Sequence, residues 1–109
     1  MTLDKLITNI DIINIENIFK VNVYSNILFA KFLLPKMIRD NFGRFIFFTS
    51  TRAGRGDIGI SLYSSSKQAL AGFSKCLAKE YAKFNVTSNW LKLGYFNTKL
   101  FNNINKKVR

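Results

Sequence analysis

The chain has 109 residues, 48% of them hydrophobic, and its 17 Lys and Arg against 6 Asp and Glu give a formal net charge of +11. That length suits one compact domain, residues 1–109, and the apolar content excludes a disordered or fibrous class. A single cysteine, Cys76, excludes an internal disulfide, and with no histidine the usual zinc sites and histidine-based catalysis lack their groups, so no metal and a reducing, cytoplasmic setting are expected.

The opening stretch, residues 1–18, scatters Asp4, Lys5, Asp11 and Glu16 among its apolar residues, which breaks the continuous core a signal peptide needs. Ile18, Val21, Tyr24, Leu28 and Phe32 then fall at helical spacing and predict a long, half-buried helix over about 15–40, with Pro35 placed to kink it late. The apolar run 27–34 is interrupted by Lys31 and is far shorter than the ~20 residues that span a bilayer, so no membrane partner is expected.

Asn41, Phe42 and Gly43 punctuate, and residues 44–49 (RFIFFT) form a short, continuously apolar run that predicts a strand buried on both faces, at the centre of a sheet. A Gly- and Arg-rich loop follows over 52–59. Leu70, Phe73, Leu77, Tyr81 and Phe84 return to the helical period and predict a second long helix over about 62–83. Asn85 ends it, 86–93 alternates as a second strand, and Gly94 opens a loop into a basic, Asn-rich tail. Helix, strand, helix and strand with short connections is the pattern of a parallel α/β sheet with right-handed crossovers. Two strands do not make a stable sheet of that kind, so neighbours beyond this sequence are expected.

Chemistry concentrates in Ser50 at the end of the first strand, Tyr63, and Lys67 four residues later within SLYSSSKQAL. Residues at i and i+4 are neighbours on a helix, and an ammonium beside a phenol favours the phenolate, which makes Tyr63 a usable proton donor and acceptor. Ser50, at a strand's carboxyl end, is placed to bond a substrate oxygen while a nicotinamide supplies or takes hydride. The Tyr-x-x-x-Lys spacing alone is a weak signal, since Lys67 can equally be a solvated helix lysine, Tyr63 a packing residue and Ser50 a strand-end hydrogen bonder. The ordered set of strand, Thr49-Ser50, Ala53-Gly54 loop, tyrosine and lysine carries the weight.

GRFIFFTSTRAG followed by LYSSSKQALAGFSKCLAKEYAKFNVTSNWLKLGYFNT resembles the core of a short-chain dehydrogenase/reductase over nearly the whole chain. The resemblance implies a partial Rossmann-type, doubly wound parallel sheet: the carboxy-terminal half, with two long helices and two central strands. It implies NAD or NADP as cofactor, Ser50 as the substrate-orienting serine, Tyr63 as general acid/base, and Lys67 as partner of both Tyr63 and the nicotinamide ribose. Asn22, in KVNVYSN, matches the family's helix asparagine, which holds a water near the lysine; otherwise it reads as a polar helix residue facing solvent. Where the family has Pro-Gly and a cofactor-contacting turn, this chain has Leu93 and Gly94 through Thr98, with Gly94, Phe96 and Thr98 matching cofactor contacts. Leu93 in place of the proline removes a fixed φ angle.

Residues 54–59 spell G-x-G-x-x-G with Glu80 near the distance of a dinucleotide fingerprint's acidic residue. Glu80 lies inside the helical run AKEYAK rather than at a strand end, and the resemblance makes these glycines the loop that shapes the substrate pocket. The family's amino-terminal phosphate turn, adenosine-binding residue and Asn-Asn-Ala-Gly segment have no counterpart here. The expectation is therefore an oxidoreductase interconverting a ketone and a secondary alcohol, small or carried on an acyl carrier as in 3-oxoacyl-carrier-protein reductases, and a homo-oligomer through the two long helices. Two rivals stand beside it: a truncated, catalytically silent remnant, and a basic nucleic-acid-binding module whose steeply salt-dependent binding would ignore Tyr63→Phe. The charge names a polyanionic class of partner rather than a function, and Lys, Asn, Ile and Phe are abundant together, so no nucleic-acid partner is expected.

Overall fold

The computed structural model describes residues 4–94. A single turn at Ile7–Asn9 precedes helix α1 (Ile12–Phe19), which passes through a widened π turn at Lys20–Tyr24 into α2 (Ser25–Asp40). Strand β1 (Gly43–Ser50), the five-residue helix α3 (Thr51–Arg55), the long helix α4 (Ser61–Tyr81), a closing turn at Ala82–Phe84 and strand β2 (Val86–Leu93) follow. The strands run parallel, in register from Gly43 opposite Val86 to Ser50 opposite Leu93, with α4 as the crossover. The α/β architecture is the one the pattern predicts. The first helix differs in detail: it begins at Ile12, widens around Asn22 and continues through Pro35 to Asp40.

Two asparagines turn helix into strand. Asn41 (φ 50°) and Asn85 (φ 59°) both adopt the left-handed conformation, which asparagine tolerates better than most side chains. The Asn41 N–H bonds Ile38 O at 3.2 Å and the Phe42 N–H bonds Met37 O at 3.1 Å, satisfying carbonyls left open at the end of α2. The two turns are tied together: the Gly43 N–H donates to Asn85 O (3.1 Å), and the Arg44 guanidinium donates to both Gly43 O (2.7 Å) and Asn85 O (2.8 Å). Gly43 is required here by close approach, because a Cβ would lie 2.5 Å from Met37 Sδ. With both turns at one end of the sheet, Ser50 and Leu93 are left side by side at the other.

The core joins Ala30 and Leu34 of α2, Phe45 and Phe47 of β1, Leu70 and Leu77 of α4, and Val86 of β2. Phe45 and Phe47 stack at 5.9 Å between centroids, and Phe73 meets Phe47 edge-on at 5.7 Å. The predicted apolar stripe of α4 is thus the buried one: Leu70 and Leu77 are in the core, with Phe73, Tyr81 and Phe84 packed against it.

Two expectations are corrected. β1 is buried on one face only: Phe45, Phe47 and Thr49 point into the core, while Ile46 and Phe48 are 57% and 53% exposed. The helices cover a single face of the sheet, and nothing among the described residues covers the other. The first long helix is half-buried, but not by the predicted stripe beyond Ile18: Val21, Tyr24, Leu28 and Phe32 are exposed, Phe32 by 83%, and the buried row is Ile18, Asn22, Ala30 and Leu34. Both sides of this helix carry apolar side chains, so periodicity finds a stripe but cannot tell which of two meets the core.

Candidate active site at the carboxyl end of the sheet

Ser50 ends β1 and begins α3. Its Oγ accepts the Arg52 N–H at 3.2 Å, a helix-capping bond that leaves the hydroxyl hydrogen free to be donated. The chain reverses through Gly56 (φ 72°) and Gly59 (φ 87°), both in conformations that favour glycine, before α4 begins. The Ser64 hydroxyl donates to the Ala53 carbonyl, fastening the first turn of α4 to α3 and so joining Ser50's helix to the turn that carries Tyr63. The G-x-G-x-x-G string therefore starts inside a helix and ends in a helix-to-helix turn, not between strand and helix, and Glu80 lies on an exposed face of α4. Arg55 and Asp57 within it pair at 2.9 Å, and the bond from Arg55 holds the Asp57 carboxyl below its ordinary range.

Tyr63 is half-buried in the first turn of α4, and Lys67 follows one turn later with Nζ 6.0 Å from the centre of the Tyr63 ring. The same amine lies 3.5 Å from the Phe48 carbonyl of β1, a long and weak contact that directs it over the strand end. Lys67 is partly withdrawn from water, and this desolvation lowers its amine below the ordinary lysine value.

Asn22 is buried, 3% exposed, and does not face solvent. Its amide nitrogen donates to Ser66 Oγ at 3.0 Å, and Ser66 Oγ donates to the Tyr63 carbonyl at 2.9 Å. The Asn22 carbonyl, inside the widened turn, accepts from Asn26 Nδ2 at 2.9 Å. Asn22 is thus tied, across 44 residues of sequence, to the turn of α4 that carries Tyr63 and Lys67, through Ser66, a residue at an unspecified position of the Tyr-x-x-x-Lys pattern. A signal for it was present: Ser66 and Ser74 lie on the same helical row as Leu62, Leu70 and Leu77, so they had to be buried with it.

Gly94 follows Leu93 at the same end of the sheet, with open space where a Cβ would stand. Phe96 and Thr98 lie outside the described residues. Ser50 thus stands at the carboxyl end of β1, and the Lys67 amine reaches toward the same strand through the Phe48 carbonyl, at the end of the sheet where open α/β sheets bind their ligands. Among the described residues no three His, Cys, Asp or Glu side chains group as metal ligands, and no helix is long and apolar enough to cross a membrane.

A parallel pair crossed by a helix, with polar side chains at its carboxyl end, is a Rossmann-type α/β unit. The fold is shared with a putative NAD(P)-dependent gluconate 5-dehydrogenase from Beutenbergia cavernae carrying bound NADP: TM-score 0.91 over 99% of this chain and 43% of that one, at 20% identity. It is also shared with a gluconate 5-dehydrogenase from Burkholderia cenocepacia in complex with NADP and tartrate, at TM-score 0.86, 21% identity, and 92% and 39% coverage. The family model of short chain dehydrogenases matches residues 1–109, and the chain belongs to that family. It is 32% identical over its whole length to a 3-oxoacyl-[acyl-carrier-protein] reductase from Aquifex aeolicus, covering 44% of that protein. It is 38% identical over 85 residues to carbonyl reductase family member 4 from Xenopus tropicalis, covering 78% of this chain and 36% of that one. The chain therefore spans less than half the length of the curated relatives it matches.

Proposed function

We propose that this chain carries the proton-transfer half of an NAD(P)-dependent oxidoreductase that interconverts a ketone and a secondary alcohol. The observation that carries the reading is the placement of Lys67 one turn from Tyr63, its partly desolvated amine directed over the end of β1. Ser50 donates its free hydroxyl hydrogen to the substrate oxygen and holds it; Tyr63 gives that oxygen a proton on reduction and takes it back on oxidation; Lys67, one turn away on the same helix, binds the cofactor's ribose hydroxyls. Asn22 holds the turn from behind. When bound, the nicotinamide supplies or accepts the hydride. Gly94, Phe96 and Thr98 are assigned to cofactor contact by their match to the family's turn.

The substrate class we favour is a 3-oxoacyl group on an acyl carrier or a small ketone. The named activity of the Aquifex relative supports it, and so does a net charge of +11, which suits an acidic carrier or a phosphorylated cofactor. The outward apolar stripe of α2, with Leu28, Phe29 and Phe32 exposed, supports a homo-oligomer formed through the long helices.

Titration of NADH and NADPH into the folded chain, followed by nicotinamide fluorescence, tests the proposal, with turnover of a ketone panel as the second step. Saturable binding weakened by Lys67→Ala, and turnover abolished by Tyr63→Phe, are expected. A second reading, that the chain holds these residues but does not retain a nucleotide by itself, is favoured by the uncovered face of β1, where Ile46 and Phe48 are exposed. Absence of binding by a folded chain would decide for that reading.

A further inference from the structure

Ser66 is fully buried, 0% exposed, and its hydroxyl works in both directions at once. It accepts from Asn22 Nδ2 at 3.0 Å and donates to the Tyr63 carbonyl at 2.9 Å. Among small side chains only a hydroxyl does both well, since alanine has no polar atom and a thiol is a weak donor and acceptor. The position is equally specific. Ser66 stands three residues after Tyr63 and one before Lys67, so its bonds fix the helical turn on which the two are carried. At the far end, Asn22 sits in the π turn Lys20–Tyr24, a widening that shifts the helical phase and lets the asparagine reach across to α4.

We propose that Ser66 is a positioning residue for the proton-transfer pair: by tying the Tyr63–Lys67 turn of α4 to Asn22 it fixes the reach of the Lys67 amine over the end of β1. This rests on the reading of Tyr63 and Lys67 as that pair. The half-burial of Lys67 depends on α4 lying firmly against the strand end, and burial holds the amine below the ordinary lysine value. Without the Ser66 hydroxyl the turn loosens, water reaches the amine, and its basicity returns upward.

The same helix provides a matched control. Ser74, also 0% exposed, shares a hydrogen bond of 2.8 Å with Ser88 of β2. That bond is likewise buried and likewise ties α4 to a neighbour, but it lies two turns beyond Ser66 and touches neither Tyr63 nor Lys67.

The experiment is an NMR titration of the Lys67 side chain in 13Cε-lysine-labelled protein, assigned by the signal lost in Lys67→Arg, together with kcat and KM for NADPH-dependent ketone reduction. In Ser66→Ala the Lys67 midpoint should move up toward the ordinary lysine value, and kcat/KM for NADPH should fall on the order of tenfold, because the displaced amine is the one that meets the cofactor's ribose. Ser66→Thr, which keeps the hydroxyl, should restore both. Ser74→Ala should lower the thermal midpoint and move neither. A folded Ser66→Ala with the wild-type Lys67 midpoint overturns the proposal, and so does an equal shift in Ser74→Ala. If Ser66→Ala does not fold, Ser66→Cys fills the site with a slightly larger, poorly hydrogen-bonding group and takes its place. Absence of turnover in the wild type would count against the proposed function, while the Lys67 titration would still decide the role of Ser66.

Discussion

The Lys67 amine lies 6.0 Å from the centre of the Tyr63 ring, one turn earlier on the same helix. Neither side chain would hold this position on a free helix, where a lysine samples many rotamers. Here the amine is drawn toward the Phe48 carbonyl, and the turn beneath it is held by Ser66 and Asn22. This arrangement sets what each substitution should do.

Tyr63→Phe removes one hydroxyl from a half-buried ring and leaves the packing in place. Turnover should fall by about 10²–10⁴-fold, the usual contribution of a general acid or base, with the circular dichroism spectrum and thermal midpoint unchanged. A variant that turns over like the wild type would remove Tyr63 from the chemistry.

Lys67 makes stability depend on pH in an unusual sense. Its folded-state value is lowered by burial, so between that value and the ordinary lysine value the unfolded chain binds more protons, and stability rises with pH across this window. Below the folded-state value the lysine is charged in both states and its burial is a constant penalty. In urea titrations carried up to the ordinary lysine value, about pH 10.5, the wild type should gain stability relative to Lys67→Met. Because the side chain is only half-buried, solvent screens the effect and the gain should be small. Parallel pH profiles for the two proteins would show that the amine is not desolvated.

Gly43→Ala places a methyl 2.5 Å from Met37 Sδ, 2.7 Å from its Cγ and 2.9 Å from its Cβ. The methionine must move, and a loss of about 1–3 kcal/mol is expected in equilibrium unfolding. Met37→Ala removes the sulfur and the Cγ and leaves only the Cβ close by, so the two changes together should cost less than the sum of each alone. Strict additivity would mean that the contact is not the cause.

Phe32 is 83% exposed on α2, which makes Phe32→Glu nearly neutral for the fold, within about 0.5 kcal/mol. If the outward stripe joins copies of the chain, this variant should shift the mass measured by light scattering down to a monomer. Phe48→Glu, on the open face of β1, should not. The reverse pattern would move the association surface from the helices to the sheet.

The sequence by itself determined the order of elements, the parallel pair, the buried stripe of α4 and the serine, tyrosine and lysine at one end of the sheet. These follow from local rules: period, turn residues and spacing along one helix. Asn41 and Asn85 marked the helix ends because their left-handed conformations are a property of the residue in its own peptide. What only the tertiary structure decided depends on partners distant in the chain. Ile46 and Phe48 look as apolar as Phe45 and Phe47, and only the placement of α2 and α4 shows that one face of β1 is covered and the other is not. The first long helix has apolar residues on two sides, and beyond Ile18 the buried row runs through Ala30 and Leu34 rather than along the stripe from Val21 to Phe32. Apart from its match to the family's helix asparagine, Asn22 reads as a solvent-facing polar residue, and only the structure shows it buried against Ser66, 44 residues away. A buried hydrogen bond of that kind belongs to the meeting of two elements, and no window of sequence around either residue contains it.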